Sequence, residues 1–448
     1  MNSLAHQIRR RIALLTLAAG LAVMPRLAPG ASVLTFGDSL SKEYYLEFFL
    51  EFTFQGYPDQ AQSWTEILDH FRGDEFDYGQ EGGFPHPQVV YGHEFNWSIP
   101  GGRIRDFVDI VRGTDSDDRA SRTRIRNQLQ TEVDRFVLFV GGNDADSVYG
   151  TAYNGGDLSA FAADFVAGVE EVLDWVIAQN PALDHVLVNV PHVGATPKVK
   201  GEYPPDPIKT ARATAAYAAL NAQLQQVASS RGIGYADVFA LTVRLLDPPS
   251  FCYQGVSFTN SSSAGGELDH LWLAGPAADD FHPNGNGQAV VANIIIQAFN
   301  EAYGSGIPPL TAQEILEEFL GMNADMPFAQ WLACYGISGA EAGDDPDADC
   351  ASNALEFALG LDPTHPDAAG TVTTALVDDG GAPALGIRFP QRLVESAEVA
   401  VVPQRSVDLK TWAPLATAML PDGRTFARLP IDPAAPAFLR LRATLVNE

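Results

Sequence analysis

Short apolar runs alternate with longer amphipathic stretches between Val33 and about Tyr303, and this alternation restricts the folds open to the chain. The runs SVLTFGDS, RFVLFVGGND and HVLVNVP are compact and end in Gly, Asn, Asp or Pro. They are typical of buried strands in a parallel sheet. The stretches LSAFAADFVAGVEEVLDWVIAQN and KTARATAAYAALNAQLQQVASSRG repeat apolar residues at spacings of three and four, as amphipathic helices do. The pattern predicts an α/β fold whose ligands bind beyond the carboxyl ends of the strands.

The first thirty residues have the order of a secretory signal peptide. Arg9, Arg10 and Arg11 precede an apolar run over 12–24, and the small residues of 28–31 follow. A run of this length falls short of the about 20 residues that span a bilayer as a helix. We expect cleavage near Gly30 or Ala31, an extracytoplasmic protein and no stable membrane insertion.

The charge balance excludes some partners. The formal net charge of −28 makes a surface that repels nucleic acid and anionic membranes. The three cysteines, Cys252, Cys334 and Cys350, can form at most one disulfide within the chain. Cys334 and Cys350 are the closer pair in sequence, but spacing alone does not decide the pairing.

The composition changes after Tyr303. The segment GSGIPPLT is typical of a linker, Thr311 of a helix cap, and residues 344–349 of an acidic loop. Beyond Gly370 the segments ALGIRF, VAVVPQ and FLRLRATL alternate with Pro, Gly and Asp turns, as strands do. We predict a signal peptide over 1–30, an α/β domain over 31–303, a helical and acidic connector over 304–368, and a β-rich module over 369–448.

Two distant motifs contain the residues of a nucleophile and its base. Ser39 in the run FGDSLS directly follows the first predicted strand, where a serine hydroxyl can face a ligand. The sequence DDFHPNG contains Asp279 and His282, whose spacing lets the carboxylate orient the imidazole. Each motif alone is equally typical of a turn or a helix cap.

Two further loops offer hydrogen-bond donors for an oxyanion. The loop NWSIPGG presents the backbone N–H of Gly101, with Gly102 as an alternative. The sequence GGND places the carboxamide of Asn143 at the end of a predicted strand, a position suited to an oxyanion hole.

The four motifs together resemble those of the GDSL hydrolases, also called the SGNH hydrolase superfamily, in the order in which that family has them. They are GDSL at 37–40, the glycine loop at Gly101, G-x-N-D at 141–144 and D-x-x-H at 279–282. The resemblance covers about 32–303 and implies a flavodoxin-like three-layer α/β/α fold. It also implies a catalytic triad of Ser39, Asp279 and His282, with an oxyanion hole formed by the Ser39 and Gly101 N–H groups and the Asn143 side chain.

The acidic connector contains a second pattern. Five residues occupy positions 1, 3, 5, 9 and 12 of a twelve-residue loop, the spacing of an EF-hand calcium loop, and they are Asp345, Asp347, Asp349, Asn353 and Glu356. Cys350 stands where that loop has glycine, which requires strain or a disulfide at this turn. The segment is also similar to calcium-loop connectors of secreted bacterial proteins, while an acidic turn with a helix cap is the alternative.

These motifs predict a secreted serine esterase that needs no cofactor for catalysis, with any calcium serving a structural role. Short-chain or carbohydrate acetyl esters are favoured, as small molecules or on a polysaccharide, and lipid esters would require an apolar groove that the sequence does not identify. An acyltransferase of the same fold is one alternative. A non-catalytic surface-binding protein is another, favoured only if Ser39 and His282 lie too far apart to share a hydrogen bond.

Overall fold

The structure is a computed structural model. It describes residues 31–44, 61–89, 91–246, 250–253, 256–263, 269–273, 280–319, 321, 327–366, 372–379, 382–389, 399–419, 425–431 and 436–445. The predicted signal peptide and Asp279 lie outside the described residues.

The strands follow one another along the chain as β1 (Val33–Gly37), β2 (Glu81–Gly82), β3 (Gly92–His93), β4 (Arg135–Phe139), β5 (Asp184–Val188), β6 (Gly234–Ala236), β7 (Ser250–Tyr253), β8 (Val256–Ser263), β9 (His270–Leu273), β10 (Thr373–Asp379), β11 (Ala382–Phe389), β12 (Val399–Ser406), β13 (Ala413–Pro414), β14 (Thr417–Met419), β15 (Thr425–Pro430) and β16 (Phe438–Leu445).

The helices are α1 (Trp64–Arg72), α2 (Ile104–Arg112), α3 (Ser116–Thr131), α4 (Gly142–Tyr153), α5 (Ser159–Gln179), α6 (Pro197–Glu202), α7 (Pro207–Arg231), α8 (Val238–Arg244), α9 (Gly285–Tyr303), α10 (Phe328–Cys334) and α11 (Asn353–Leu359). A 3-10 turn at Val193–Ala195 and a π-helical turn at Glu314–Phe319 complete the helical elements among the described residues.

The central sheet is parallel, with strand order β1-β4-β5-β6. Both of its faces are buried. Phe136 and Leu138 of β4 pack into the core on one face, and Val137 and Phe139 pack into the core on the other. Helices α2, α3, α5 and α7 contribute to the first core, whereas α1, α8 and α9 contribute to the second. The predicted three-layer α/β/α architecture is confirmed.

Helix α7 begins and ends at residues that satisfy free backbone groups. The Asp206 side chain accepts hydrogen bonds from the N–H groups of Ile208 and Lys209 at the start of α7. Gly232, with a φ of 64°, ends α7 in the left-handed conformation that glycine adopts without strain. Helix α7 therefore has defined ends, and it is one of the two helices that the sequence predicts by quoted segment.

A small sheet separates α8 from α9. Strands β7 and β8 are antiparallel, and β8 continues into a parallel pairing with β9. Phe251 of β7 and Trp272 of β9 are buried in the same core as α9. This sheet lies immediately before the segment that contains His282 in the chain.

The C-terminal part consists of two antiparallel sheets, with orders β10-β11-β15-β14 and β13-β12-β16. The segments ALGIRF, VAVVPQ and FLRLRATL lie in β11, β12 and β16, which confirms the predicted β-rich character.

In the connector, Phe328 and Trp331 of α10 pack on Phe357 of α11 at ring-centroid distances of 5.2 and 5.3 Å.

The disulfide joins Cys252 to Cys334, whose Cα atoms are 6.0 Å apart, and Cys350 is a free, exposed cysteine. The pair that is closer in sequence is therefore not the bonded one. Cys252 lies in β7 and Cys334 ends α10, so the bond links the small sheet to the connector.

Candidate active site

Ser39 lies on a tight turn directly after β1. The carbonyl of Asp38 accepts hydrogen bonds from the N–H groups of Ser41 and Lys42, which turns the chain back beside the end of the strand. A Cβ atom on Gly37 would lie 2.4 Å from the Cβ of Ser41, so this close return requires glycine. Ser39 is nevertheless only 6% exposed, at the carboxyl edge of the sheet.

The glycine loop reaches the same edge of the sheet because residues 95–99 run alongside β1 and form hydrogen bonds with it. Thr35 donates its N–H to the Phe95 carbonyl, Trp97 donates to Thr35, and Ile99 donates to Gly37, all at 2.9 Å. This segment thus runs parallel to β1 and ends beside the Ser39 turn. Parallel segments place their carboxyl ends together, which brings the first and second motifs to one site.

The His282 segment is held by β9 and by the start of α9. His282 accepts a hydrogen bond from the N–H of Leu273, and Asn284 donates its N–H to Leu271, both at 2.9 Å. The Asn284 side chain accepts hydrogen bonds from Asn286 and Gly287 and so caps α9. Backbone hydrogen bonds at His282 and at Asn284 thus hold the chain that carries the His282 ring.

Ser39 and His282 are in hydrogen-bond contact. The Ser39 Oγ and His282 Nε2 atoms are 2.8 Å apart, although the residues are 243 positions apart in the chain. A serine hydroxyl at this distance can donate to an unprotonated imidazole nitrogen, the arrangement that an activated nucleophile requires. The structure thus brings together the two residues that the sequence proposes as nucleophile and base. It does not describe Asp279, their predicted partner.

The predicted oxyanion donors lie on the glycine loop and at the turn from β4 into α4, which is called the Asn143 loop below although Asn143 is already in the first turn of the helix. The Nδ2 atom of Asn143 donates to the carbonyl of Gly102 at 3.1 Å, which ties the Asn143 loop to the glycine loop. Gly102 donates its own N–H to Ile99 at 2.8 Å. Gly101 has a φ of 72°, a left-handed conformation that favours glycine. The N–H of Gly102 is therefore already used within this turn.

Two buried carboxyl groups, to which no sequence pattern assigns a role, connect these loops. Asp38 accepts a hydrogen bond from the N–H of Leu40 at 2.9 Å and interacts with the backbone N–H groups of Gly141 and Gly142. Asp144 accepts from the N–H of Ile104 at 3.2 Å. Asp38 therefore joins the Ser39 turn to the Asn143 loop, and Asp144 joins the Asn143 loop to the start of α2.

Burial changes the acidity of both groups. Burial raises the pKa of Asp38 to about 7, and the negative charge of Asp144 acts in the same direction. Burial likewise raises the pKa of Asp144 to about 6. Both aspartates lie inside the GDS and GGND motifs, but their burial is a property of the packed loops.

Gln288 and Tyr44 form another support that the sequence does not indicate. The Gln288 side chain donates to the Leu40 carbonyl at 3.0 Å and is 2.6 Å from the Tyr44 hydroxyl oxygen. The Tyr44 ring meets the His282 ring edge-to-face, with centroids 5.9 Å apart. These contacts connect α9, the Ser39 turn and the His282 ring.

Comparison with known families identifies the family of the chain. A sequence profile of the GDSL-like lipase/acylhydrolase family matches residues 33–295, more than half of the chain and all four motifs. The chain belongs to this family. This GDSL hydrolase is therefore an enzyme that acts on ester bonds. No curated protein sequence matches it significantly.

Solved structures related to this GDSL hydrolase include an extracellular lipase from Streptomyces rimosus, with 16% identity over 60% of this chain and 100% of that one, at a TM-score of 0.36. They also include a phospholipase A1 from Streptomyces albidoflavus NA297, with 14% identity over 60% and 99% of the two chains, at a TM-score of 0.36. A family 3 carbohydrate esterase from Clostridium thermocellum has 15% identity over 61% and 96% of the two chains, at a TM-score of 0.31.

In the described part of this GDSL hydrolase, none of the helices has the length and apolar character needed to cross a membrane.

The acidic connector of the GDSL hydrolase gathers three of its five predicted metal ligands. One carboxylate oxygen from each of Asp345, Asp347 and Asp349 lies within 4.8 Å of the others. Asn353 and Glu356 are fully buried at the start of α11. Clustered carboxylate oxygens are the donors that calcium prefers, so these residues fit that ion.

The turn in this acidic loop is strained, which is one of the two outcomes that the sequence leaves open. Cys350 has a φ of 77°, in the left-handed region that glycine would occupy without strain. Cys350 is not disulfide-bonded, so the strained backbone, and not a disulfide, accommodates this turn.

Proposed function

We propose that the chain is a secreted serine esterase in which Ser39 is the nucleophile and His282 the general base. The 2.8 Å hydrogen bond between Ser39 Oγ and His282 Nε2 carries this proposal. It lies at the carboxyl edge of a parallel sheet, with Gly101 and Asn143 on adjoining loops. Asp279 completes the proposed triad by orienting the imidazole and stabilising its charged form.

In the proposed reaction, His282 removes the hydroxyl proton of Ser39 as Oγ bonds to the acyl carbon of the ester. The carbonyl oxygen becomes an oxyanion, which the N–H groups of Ser39, Gly101 and the Asn143 side chain stabilise. The bond to the alcohol oxygen then breaks, and His282 gives its proton to that oxygen. Water attacks the acyl-enzyme with His282 again as base, the carboxylic acid leaves, and Ser39 regains its proton.

The hydrogen bonds of the oxyanion loops support these roles. One N–H of the Asn143 carboxamide donates to the Gly102 carbonyl, which sets the orientation of the group. A carboxamide nitrogen carries two N–H donors, so the second N–H serves the substrate oxygen in this proposal. A donor whose position is set before the reaction stabilises the developing charge without reorganisation.

The extracytoplasmic location rests on the arginines and apolar run of residues 9–24. The disulfide between Cys252 and Cys334 supports it, because such bonds persist in oxidising compartments. Soluble or polysaccharide-linked esters are the substrates that we propose. The N-terminal residue of the protein recovered from culture medium tests the location, and a mature chain starting near Ala31 is expected.

A structural calcium ion in the connector is a separate proposal. The carboxylates of Asp345, Asp347 and Asp349 would hold it, together with Asn353 and Glu356. Catalysis by Ser39 and His282 involves no step at this ion.

The decisive experiment measures hydrolysis of p-nitrophenyl esters by Ser39→Ala, His282→Ala and the double variant. Each single variant should lose nearly all activity, and the double variant should be little worse, since members of one catalytic unit are not additive. Ser229→Ala, on the exposed surface of α7, is the matched control and should retain full activity. Substantial activity in folded Ser39→Ala would refute the proposal. The short distance between Ser39 and His282 also opposes a purely non-catalytic binding role.

A further inference from the structure

The side chain of Gln288, near the start of α9, contacts the surroundings of both proposed catalytic residues. Its Nε2 atom lies 3.0 Å from the carbonyl oxygen of Leu40, the residue after Ser39. The same atom lies 2.6 Å from the hydroxyl oxygen of Tyr44. The Tyr44 ring in turn meets the His282 ring edge-to-face, with centroids 5.9 Å apart. Gln288 therefore reaches the nucleophile turn directly and the base through Tyr44.

The orientation of the Gln288 amide follows from its partners. A backbone carbonyl only accepts hydrogen bonds, so the amide nitrogen, and not the amide oxygen, faces Leu40. The nitrogen has two N–H donors, one for the Leu40 carbonyl and one for the Tyr44 hydroxyl. The Oε1 atom of Gln288 is buried and has no hydrogen-bond partner among the residues that the structure describes. Such an atom costs free energy, which a side chain that served packing alone would avoid.

Gln288 and Tyr44 are enclosed by the protein. Gln288 is 1% exposed and Tyr44 is 0% exposed, so neither side chain can move without displacing its neighbours. The Tyr44 N–H donates to the Glu66 carboxylate at 2.9 Å, which holds the backbone of Tyr44 beside α1. The Gln288 N–H donates to the carbonyl of Asn284, which caps α9, also at 2.9 Å. The amide thus joins the start of α9 to the Ser39 turn.

Proton transfer from Ser39 to His282 depends on the separation of two atoms. Ser39 Oγ and His282 Nε2 are 2.8 Å apart, and they belong to residues 243 positions apart in the chain. A misplacement of about 1 Å in an active site can cost roughly 10²-fold in rate. The contacts between the two segments, and not the local chain, set this separation. A side chain that contacts both segments is therefore placed to control it.

We propose that Gln288 and Tyr44 are positioning residues, which hold Ser39 Oγ and His282 Nε2 at the distance at which the proton is transferred. The proposal rests on the function proposed above, since it takes Ser39 and His282 as the reacting pair. In this role neither residue contacts the ester. Gln288 acts through the Leu40 carbonyl and through Tyr44, and the Tyr44 ring acts on the His282 ring. Both residues therefore contribute to kcat and not to substrate binding.

The first test measures kcat and KM of Gln288→Met for p-nitrophenyl acetate. Methionine has a similar shape but no N–H donor, so the contacts with the Leu40 carbonyl and the Tyr44 hydroxyl are lost. The value of kcat should fall by roughly 10–100-fold, as expected when reacting groups are displaced by up to about 1 Å. KM should be nearly unchanged, since an interaction that serves only the chemical step is removed.

Tyr44→Phe is a milder second variant, and it replaces Gln288→Met in the argument if that protein folds poorly. It keeps the ring against His282 and removes the hydroxyl that Gln288 contacts. Because the contact between Gln288 and the Leu40 carbonyl remains, kcat should fall by a smaller factor than in Gln288→Met. KM should again be nearly unchanged.

A control on the same helix separates positioning from stability. Asn293 of α9 is also a buried carboxamide, but its Nδ2 and Oδ1 atoms bond the backbone of Leu310, 3.0 and 2.6 Å away. Asn293→Leu should therefore lower the free energy of unfolding at least as much as Gln288→Met does, and it should leave kcat unchanged. Urea denaturation and steady-state kinetics measure the two quantities for both variants.

A double variant tests whether Gln288 acts through the reacting pair. In His282→Ala there is no base to position, so the addition of Gln288→Met should not reduce the residual activity further. A substitution that only loosened the protein would reduce the activity of the wild type and of His282→Ala by the same factor. Equal factors would overturn the positioning role.

The two proposals fail in different ways. Activity that persists in folded Ser39→Ala would overturn the proposed function. Hydrolysis that requires Ser39 but retains the wild-type kcat in Gln288→Met and Tyr44→Phe would overturn only the positioning role. A fall of kcat in Asn293→Leu equal to that in Gln288→Met would also overturn it, because the loss would then follow stability. Circular dichroism of each variant confirms that folded proteins are compared.

Discussion

The buried carboxyl groups of Asp38 and Asp144 connect the three loops that meet at Ser39. Asp38 receives the Leu40 N–H, and Asp144 receives the Ile104 N–H, so each aspartate fixes a loop that carries a proposed catalytic donor. Both carboxyl groups are buried, and loss of hydration disfavours their charged, deprotonated form. It makes the stability of the site dependent on pH.

Asp38→Asn should weaken the dependence of stability on pH. Because the folded-state pKa of Asp38 is about 7 and that of an unperturbed aspartate is 3.8, the folded protein holds a proton that the unfolded chain releases between these values. This group therefore lowers the free energy of unfolding as pH rises from about 4 to 7, by about 4 kcal/mol at most. Urea denaturation at pH 5 and pH 8 measures the effect. The free energy of unfolding should fall less between pH 5 and pH 8 in Asp38→Asn than in the wild type. An equal fall in both proteins would show that Asp38 does not cause the pH dependence.

Asn143→Ala should lower kcat by roughly 10²–10³, the usual cost of one oxyanion donor, with a much smaller change in KM. Asn143→Asp keeps the shape of the side chain but lacks the N–H donors, so it should be at least as inactive. Asn127→Ala, on the exposed face of α3, is the control. Steady-state kinetics with one p-nitrophenyl ester checks all three, and an unaltered kcat in Asn143→Ala would remove this residue from the site.

Removal of the disulfide should destabilise the protein by about 2–4 kcal/mol, because the bond closes a long loop in the unfolded chain. The double variant Cys252→Ala/Cys334→Ala tests this in urea denaturation. Cys350→Ala is the control, since that thiol is free. Thiol titration of the unfolded, unreduced wild type should find one reactive cysteine, and a count of three would contradict the assignment.

Cys350→Gly should stabilise the connector by about 0.5–1 kcal/mol. Glycine adopts the φ of 77° without the steric cost that a side chain incurs, although it also gives up more backbone entropy on folding. Cys350→Ala removes the thiol but keeps the strain, so only the glycine variant should raise the thermal midpoint. Equal midpoints for the two variants would contradict this account.

Calcium should raise the midpoint of thermal unfolding of the connector and C-terminal sheets, since an ion bound only by the folded state stabilises that state. Calorimetric titration into chelator-treated protein measures binding, and Asp347→Ala and Glu356→Ala should weaken it. Glu341→Ala, an exposed acidic residue outside the twelve-residue loop, should bind as the wild type does. Esterase activity should change little. Absence of both binding heat and a thermal shift in the wild type would leave the loop as an acidic turn.

The sequence by itself determines the α/β class, because periodicity is a local property of the chain. The runs that become β1, β4 and β5 and the stretches that become α5, α7 and α9 are recognisable without any knowledge of their neighbours. The four motifs are equally local, and their order is enough to place the chain in its family. The EF-hand spacing also follows from adjacent residues.

Tertiary structure decides everything that depends on which distant residues meet. The partner of Cys334 proves to be Cys252, 82 positions away, and not its nearer neighbour in sequence. The acidity of Asp38 depends on its burial beside the Asn143 loop, and the contact between Ser39 and His282 spans 243 positions. Packing of this kind depends on side-chain volumes brought together from separate segments, and no local pattern records it.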